Sequence, residues 1–158
     1  MNIARITELP LESLAPLVEQ SKRAGWRHLE RLREDWASGR NRFCGHGEAL
    51  FSGWDQDALV AIGGVNREPH ANDPSVARLR RLYVHEGYRG RGYGALLVAQ
   101  LVEHAKTYFR EIRLGAGSAD AAAFFELLGF ASSRASGTFT HSLILNGDPV
   151  RSVEQAKT

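Results

Sequence analysis

Little in this chain could cross-link it, embed it in lipid or bind a partner by charge alone. Cysteine occurs once, at Cys44, so no disulfide closes within the chain, and with no second thiol beside it no metal cage is expected. No apolar run approaches the roughly twenty residues that span a bilayer. The opening Met1 to Glu8 also lacks the apolar stretch of a secretory leader. A protein of the cytoplasm, without a membrane partner, is the expectation. Lys plus Arg number 20 against 18 Asp plus Glu, with the signs interspersed, which excludes a dedicated nucleic-acid surface. Repeats and low-complexity tracts are absent too. What is present is 43% apolar and 24% charged residues in a chain of 158, enough for one domain with a continuous core. That domain is expected over residues 1–146, followed by a polar tail over residues 147–158.

Periodicity sets the elements. Ile3 to Leu9 alternates weakly and suits a short strand bounded by Pro10. A helix follows with Leu14, Leu17 and Val18 as its buried stripe, Pro16 placed to open it and Gly25 to close it. In the next helical stretch Trp26, Leu29, Leu32 and Trp36 recur at helical spacing until Gly39. Ala49 to Trp54 and Ala58 to Asn66 read as a hairpin around Asp55-Gln56-Asp57. Val76 to Val84 is a strand in which Leu79 lies in one alternation phase and Leu82 and Val84 in the other. A β-bulge produces that slip, although Arg80 and Arg81 also fit a plain half-exposed strand. Gly92 to Phe109 is the longest helix, with Leu97, Val98, Leu101, Ala105 and Phe109 facing inward. Glu111 to Leu114, Ala119 to Leu128, then Phe130 to Ser133 and Thr138 to Leu145 around Ala135-Ser136-Gly137 complete a mixed α/β chain.

Between strand and longest helix lies Arg89-Gly90-Arg91-Gly92-Tyr93-Gly94. Three alternate glycines strip side chains from a turn that opens directly into a helix. The first N–H groups of that helix have no intrahelical partner and point, with the positive end of the helix dipole, at one place. That is an anion site, and a diphosphate suits it. Gly90-x-Gly92-x-x-Ala95 also satisfies a dinucleotide fingerprint. Against that reading, His85 to Arg89 intervene between strand and first glycine, and Glu111 precedes its strand where a ribose-binding acid should end one. No Gly-Lys-Ser/Thr ending marks a nucleotide-triphosphate loop.

Arg89-x-x-Gly92-x-Gly94, followed by Phe125-Glu126-Leu127-Leu128-Gly129-Phe130, resembles the GNAT superfamily of acyl-CoA-dependent N-acyltransferases. The first motif resembles its acyl-CoA loop and the second its later helix-to-strand segment. The resemblance runs from Arg78 to Ser133. It implies a single-domain α/β fold with a mixed, mostly antiparallel sheet and a splayed central strand leading into the cofactor helix. It implies acetyl-CoA as cofactor, a small-molecule or peptide amine as acceptor, and direct transfer without an acyl-enzyme; dimerisation is common in the superfamily. Backbone from Leu82, Tyr83 and Val84 would receive the acyl and pantetheine groups, and Arg89, Gly90, Arg91, Gly92, Tyr93, Gly94 and Ala95 the diphosphate. Ser118 and Phe125 would lie near the sulfur. Trp26, Arg42 and Asn66 would help wall the acceptor cleft.

Two positions depart from the family pattern. Phe125 stands where a tyrosine often acts as general acid, and Arg78 where some members carry a glutamate base. Yet the chemistry needs a deprotonated amine and a donor to the developing oxyanion. Glu68 or His85 as base, directly or through water, and Tyr83, Tyr88 or Ser118 as acid, would supply replacements. Alternatively the thiolate, with a pKa near 8.5, leaves unaided. The remaining alternative is a module that binds acyl-CoA without turnover. Each side chain also has a structural reading: Glu68 as a solvated loop charge, His85 as a turn residue, Tyr83 as core.

Overall fold

The computed structural model describes residues 1–133 and 137–145. The expected turn residues Ala135 and Ser136 and the expected tail over residues 147–158 lie outside them. In order come β1 (Asn2–Ile6), α1 (Leu11–Arg23), α2 (His28–Ser38), β2 (Ala49–Asp55), β3 (Ala58–Arg67), β4 (Val76–Val84), a 3-10 turn (Glu86–Tyr88), α3 (Tyr93–Ala105), β5 (Glu111–Leu114), α4 (Ala119–Leu127), β6 (Ala131–Ser132) and β7 (His141–Ile144). This is the element order the periodicity predicts.

Seven strands form one sheet in the order β1-β2-β3-β4-β5-β7-β6. The chain runs out and back through β1 to β4 as antiparallel neighbours, and then α3 carries it over to β5. That crossover makes β4 and β5 parallel, while β7 and β6 add antiparallel edges. Alternation divides the core between two faces. On one, Leu97, Val98, Leu101 and Phe109 from α3 and its end pack on Ala61, Val65, Leu79 and Ile112. On the other, Leu14, Leu17 and Val18 of α1 and Leu29 and Leu32 of α2 cover Leu50, Ile62 and Tyr83.

Three expected boundaries move. Pro16 does not open α1: the helix starts at Leu11, with Leu14 N–H bonding Pro10 O at 2.9 Å, and Pro16 sits inside on the exposed side. On an exposed face, water can serve the carbonyl that proline leaves without a donor. Helix α3 ends at Ala105 rather than Phe109, because Thr107 and Tyr108 tighten to three-residue bonds onto His104 and Ala105. The closing strands shrink to the ladder pairs that β7 makes with β5 and β6.

The bulge is real. Ile62 pairs with Tyr83 but Gly64 pairs with Arg80, so Arg81 and Leu82 together oppose Gly63. Arg81 takes up the extra residue with a φ of 61°, left-handed and uncommon for arginine. Leu79, Leu82 and Val84 therefore all reach the α3 face despite their phase slip.

Candidate functional site

Strands β4 and β5 pair at Val76, Ala77 and Arg78, opposite Glu111, Ile112 and Arg113, with Arg110 N–H donating to Ser75 O at 2.9 Å just before them. Past that point β5 ends at Leu114 while β4 runs on to Val84, so Leu79 to Val84 face a gap where a sheet neighbour would be. Backbone direction alternates along a strand. Because His85 N–H bonds Val60 O at 2.7 Å on the β3 side, Val84 turns its own N–H and C=O into the gap.

The glycine turn crowns this gap. Gly90 and Gly92 have φ of 77° and 83°, and Gly92 is the residue before α3. A Cβ at either would meet nothing within 4 Å, so these glycines serve backbone conformation and leave the approach open. Gly94 differs: a Cβ there would lie 3.3 Å from Phe124 and 3.4 Å from Val84, so its bareness lets α3 close on α4 and β4. Among the described residues, no acceptor meets the N–H groups of Gly90, Arg91, Gly92, Tyr93, Gly94 or Ala95. These form the positive end of a 13-residue helix.

Side chains beside the turn mostly bind the protein. Arg89 folds back along β4, its Nε donating to Val84 O at 3.0 Å and its guanidinium lying 5.1 Å from the Tyr83 ring centre. Arg91 lies over Tyr88, which stacks on Tyr93 and donates its hydroxyl to Asp55.

The residues expected to act on the acceptor are dispersed. Glu68 is fully buried, not a solvated loop charge. One of its oxygens accepts from Arg78 Nη1 at 2.9 Å and the other from His70 N–H at 3.2 Å. Arg78 also donates to Thr138 O, so this pair floors the gap. His85 accepts from Gly87 N–H at Nδ1 and lies 2.8 Å from Gln20 Nε2 through Nε2. Tyr83 is buried and donates to Gln20 Oε1; burial raises its pKa, with the Arg89 charge opposing. Ser118 caps α4 by accepting from Ala121 N–H, and Phe125 packs on Phe124 and Phe130 in the core. Arg42 donates to Trp36 O at the end of α2, and Asn66 forms a closed amide pair with Asn41. Trp26 lies on the side of the lip that follows β5. It packs across to Gly117, where an added Cβ would come within 3.0 Å of its ring.

Three residues beside β4 carried no sequence signal as site groups. His28 opens α2 between Trp26 and Tyr83, with ring centres 6.4 and 5.8 Å away, and its Nε2 is buried without a partner. Burial lowers its pKa and the Arg81 charge adds to this, against a backbone bond at Leu82. Arg81 reaches Asp35 at 3.5 Å while its Nε is buried unpaired. Arg80 points to the same face. Only the bulge places two successive arginines there.

A family model for the acetyltransferase (GNAT) family matches residues 11–130. The chain belongs to that family. Solved structures agree on the fold. A protein of Exiguobacterium sp. 255-15 is 22% identical, with a TM-score of 0.81 over 99% of this chain and 98% of that one. The ribosomal-protein-alanine N-acetyltransferase of Brucella melitensis is 21% identical, with a TM-score of 0.68 over 92% of this chain and all, 100%, of its own. A GNAT-family acetyltransferase of Staphylococcus aureus Mu50 is 16% identical, with a TM-score of 0.62 over 89% of this chain and 96% of that one. Among curated proteins, no sequence matches. GNAT membership accounts for the parted strands and the glycine turn as one arrangement, and no helix among the described residues is long and apolar enough to cross a membrane.

Proposed function

We propose that this GNAT protein transfers an acetyl group from acetyl-CoA to an amine of a small molecule or peptide, by direct attack within a ternary complex. One observation carries the reading: unpartnered N–H groups at the head of α3 lie beside a gap into which Val84 turns its backbone. Amides at a helix start suit a diphosphate, and a strand without a neighbour suits an amide-bearing arm. Gly90 to Ala95 would hold the diphosphate, and Val84 N–H, already fixed in the strand, would donate to the acyl oxygen as charge develops there. Acetyl-CoA supplies the activated acyl group. Cys44 is exposed and needs no part in direct transfer.

A second reading, a module that binds acyl-CoA without turnover, has its own support. Glu68 spends both carboxylate oxygens on protein donors, and both ring nitrogens of His85 are engaged. Measuring coenzyme A release from acetyl-CoA across a varied amine panel separates the two. Release with at least one amine is the expected result, and tight coenzyme A binding without release from any would select the binding module.

A further inference from the structure

The α2-facing side of β4 carries a guanidinium to which no carboxylate among the described residues is directly paired. Arg80 is half-buried and lies in the part of β4 that faces the gap. Among the described residues it makes no hydrogen bond and no ion pair. Three carboxylates act on it electrostatically, from α2, from before β2 and from after β3: Asp35, Glu48 and Glu68. Asp35 and Glu68 are paired with other arginines, and Glu48 gives both oxygens to backbone N–H groups, so none is hydrogen-bonded to Arg80. Asp35 gives one oxygen to Arg81 at 3.5 Å and the other to Arg40 at 3.2 Å. Glu48 accepts from Gly45 N–H at 3.0 Å and Arg67 N–H at 2.9 Å. Glu68 is divided between Arg78 and His70.

The cations nearby compound the imbalance. Arg78 acts on Arg80 from within the strand, and Arg80 and Arg31 act on Arg81. Burial disfavours the charged form of both Arg80 and Arg81. A desolvated guanidinium is costly until an anion pairs with it, and its planar fork matches a carboxylate in two parallel hydrogen bonds.

We propose that Arg80 anchors the acceptor, and that the acceptor is therefore an amine that also bears a carboxylate. This deepens the transferase reading, on which it rests for the amine but not for the anion. Arg80 shares a strand with Val84, so an acceptor held by its carboxylate at Arg80 would present its amine along β4 toward the acyl group. One unpaired guanidinium balances one unit of negative charge, which favours carboxylate over phosphate.

The test is calorimetric binding of glycine, 4-aminobutyrate and 6-aminohexanoate, each beside its methyl ester, to the full chain saturated with coenzyme A. At least one acid should bind at least about tenfold tighter than its ester, as expected when a charged hydrogen-bonded pair is lost. Arg80→Gln should abolish that preference, and Arg80→Lys, keeping the charge without the fork, should restore part of it. Because Arg80 has no hydrogen-bond or ion-pair partner to lose among the described residues, Arg80→Gln should melt no lower than the parent. Equal binding of acids and esters, no binding of any acid, a preference that survives Arg80→Gln, or displacement of the acid by equimolar inorganic phosphate would each overturn the proposal. So would a marked fall in melting temperature on Arg80→Gln. Coenzyme A release is measured separately: acids that bind without release leave the anion site standing and remove the transferase reading, whereas release that ignores the carboxylate does the reverse.

Discussion

At the scale of single residues, the decisive finding is how many charged groups are already spoken for. Glu68 illustrates it. Sequence places it just past a strand end, where a charge is usually solvated, but it is fully buried and Arg78 reaches across to meet it. Glu68→Gln should cost about 3 kcal/mol in urea unfolding, since it strands a largely buried arginine. Coenzyme A should still stabilise the variant, because Glu68 touches neither Val84 nor the glycine turn. Asp73 is held near a pKa of about 2, first by the Ser75 hydroxyl and then by its N–H, against an ordinary 3.8, with Arg110 adding to the pull. Its folded pKa is depressed, so its contribution is complete above 3.8 and fades as pH falls toward about 2. Ser75→Ala should move the Asp73 midpoint upward in a carbon-13 carboxyl titration. His28, whose folded pKa is also depressed, acts in the same direction but over a higher pH range. Neutral in both states above its ordinary 6.5 and resisting protonation when folded, it removes stability as pH falls below 6.5. His28→Gln should therefore flatten the acid side of the melting-temperature profile, and an unchanged slope would show that other groups set it.

At the scale of elements, what was legible and what was not separate along a physical line. Leu14, Leu17 and Val18, or Leu97, Val98 and Leu101, announce their helices because burial repeats every three or four residues, and all six are buried. The phase slip between Leu79 and Leu82 hinted at the bulge, but Arg80 and Arg81 fitted a plain half-exposed strand as well, and only the pairing of Ile62 with Tyr83 and Gly64 with Arg80 decides for it. The partners of Arg42, Asn66 and Ser118 were not legible. Which carbonyl or amide a polar side chain meets depends on loops whose paths leave no period in the sequence. Arg42 ends on a helix carbonyl, Asn66 on Asn41 and Ser118 on its own helix. The turn itself yields a sharper expectation. Gly92→Ala meets no clash but must hold a left-handed φ of 83°, so it should cost about 1 kcal/mol. Gly94→Ala instead presses a methyl against Phe124 and Val84. Both should weaken coenzyme A binding in calorimetry, the first through strain in the turn and the second by pushing α3 away from its seat.

At the scale of the whole molecule, GNAT membership and the parted sheet make one global measurement informative. Coenzyme A at 100 times its dissociation constant should raise the unfolding free energy by about 2.7 kcal/mol, with NAD giving no shift. Stabilisation by NAD instead would favour the dinucleotide fingerprint over the acyl-CoA loop. A wider consequence follows from the short seam between β4 and β5. Three residue pairs stitch β5, β7 and β6 to the strands before them, and above that stitch the two lips stand apart. Whatever lies between those lips and touches both acts as a clasp, adding to the three rungs, the Arg78 bond to Thr138 O and the Arg110 bonds to Ser75 and Asp73 that already join the two sides. Amide protons of β5 and β7, which belong to neither β4 nor the glycine turn, should then exchange more slowly whenever the cleft is filled, so that the state of the site can be read from the rim of the sheet.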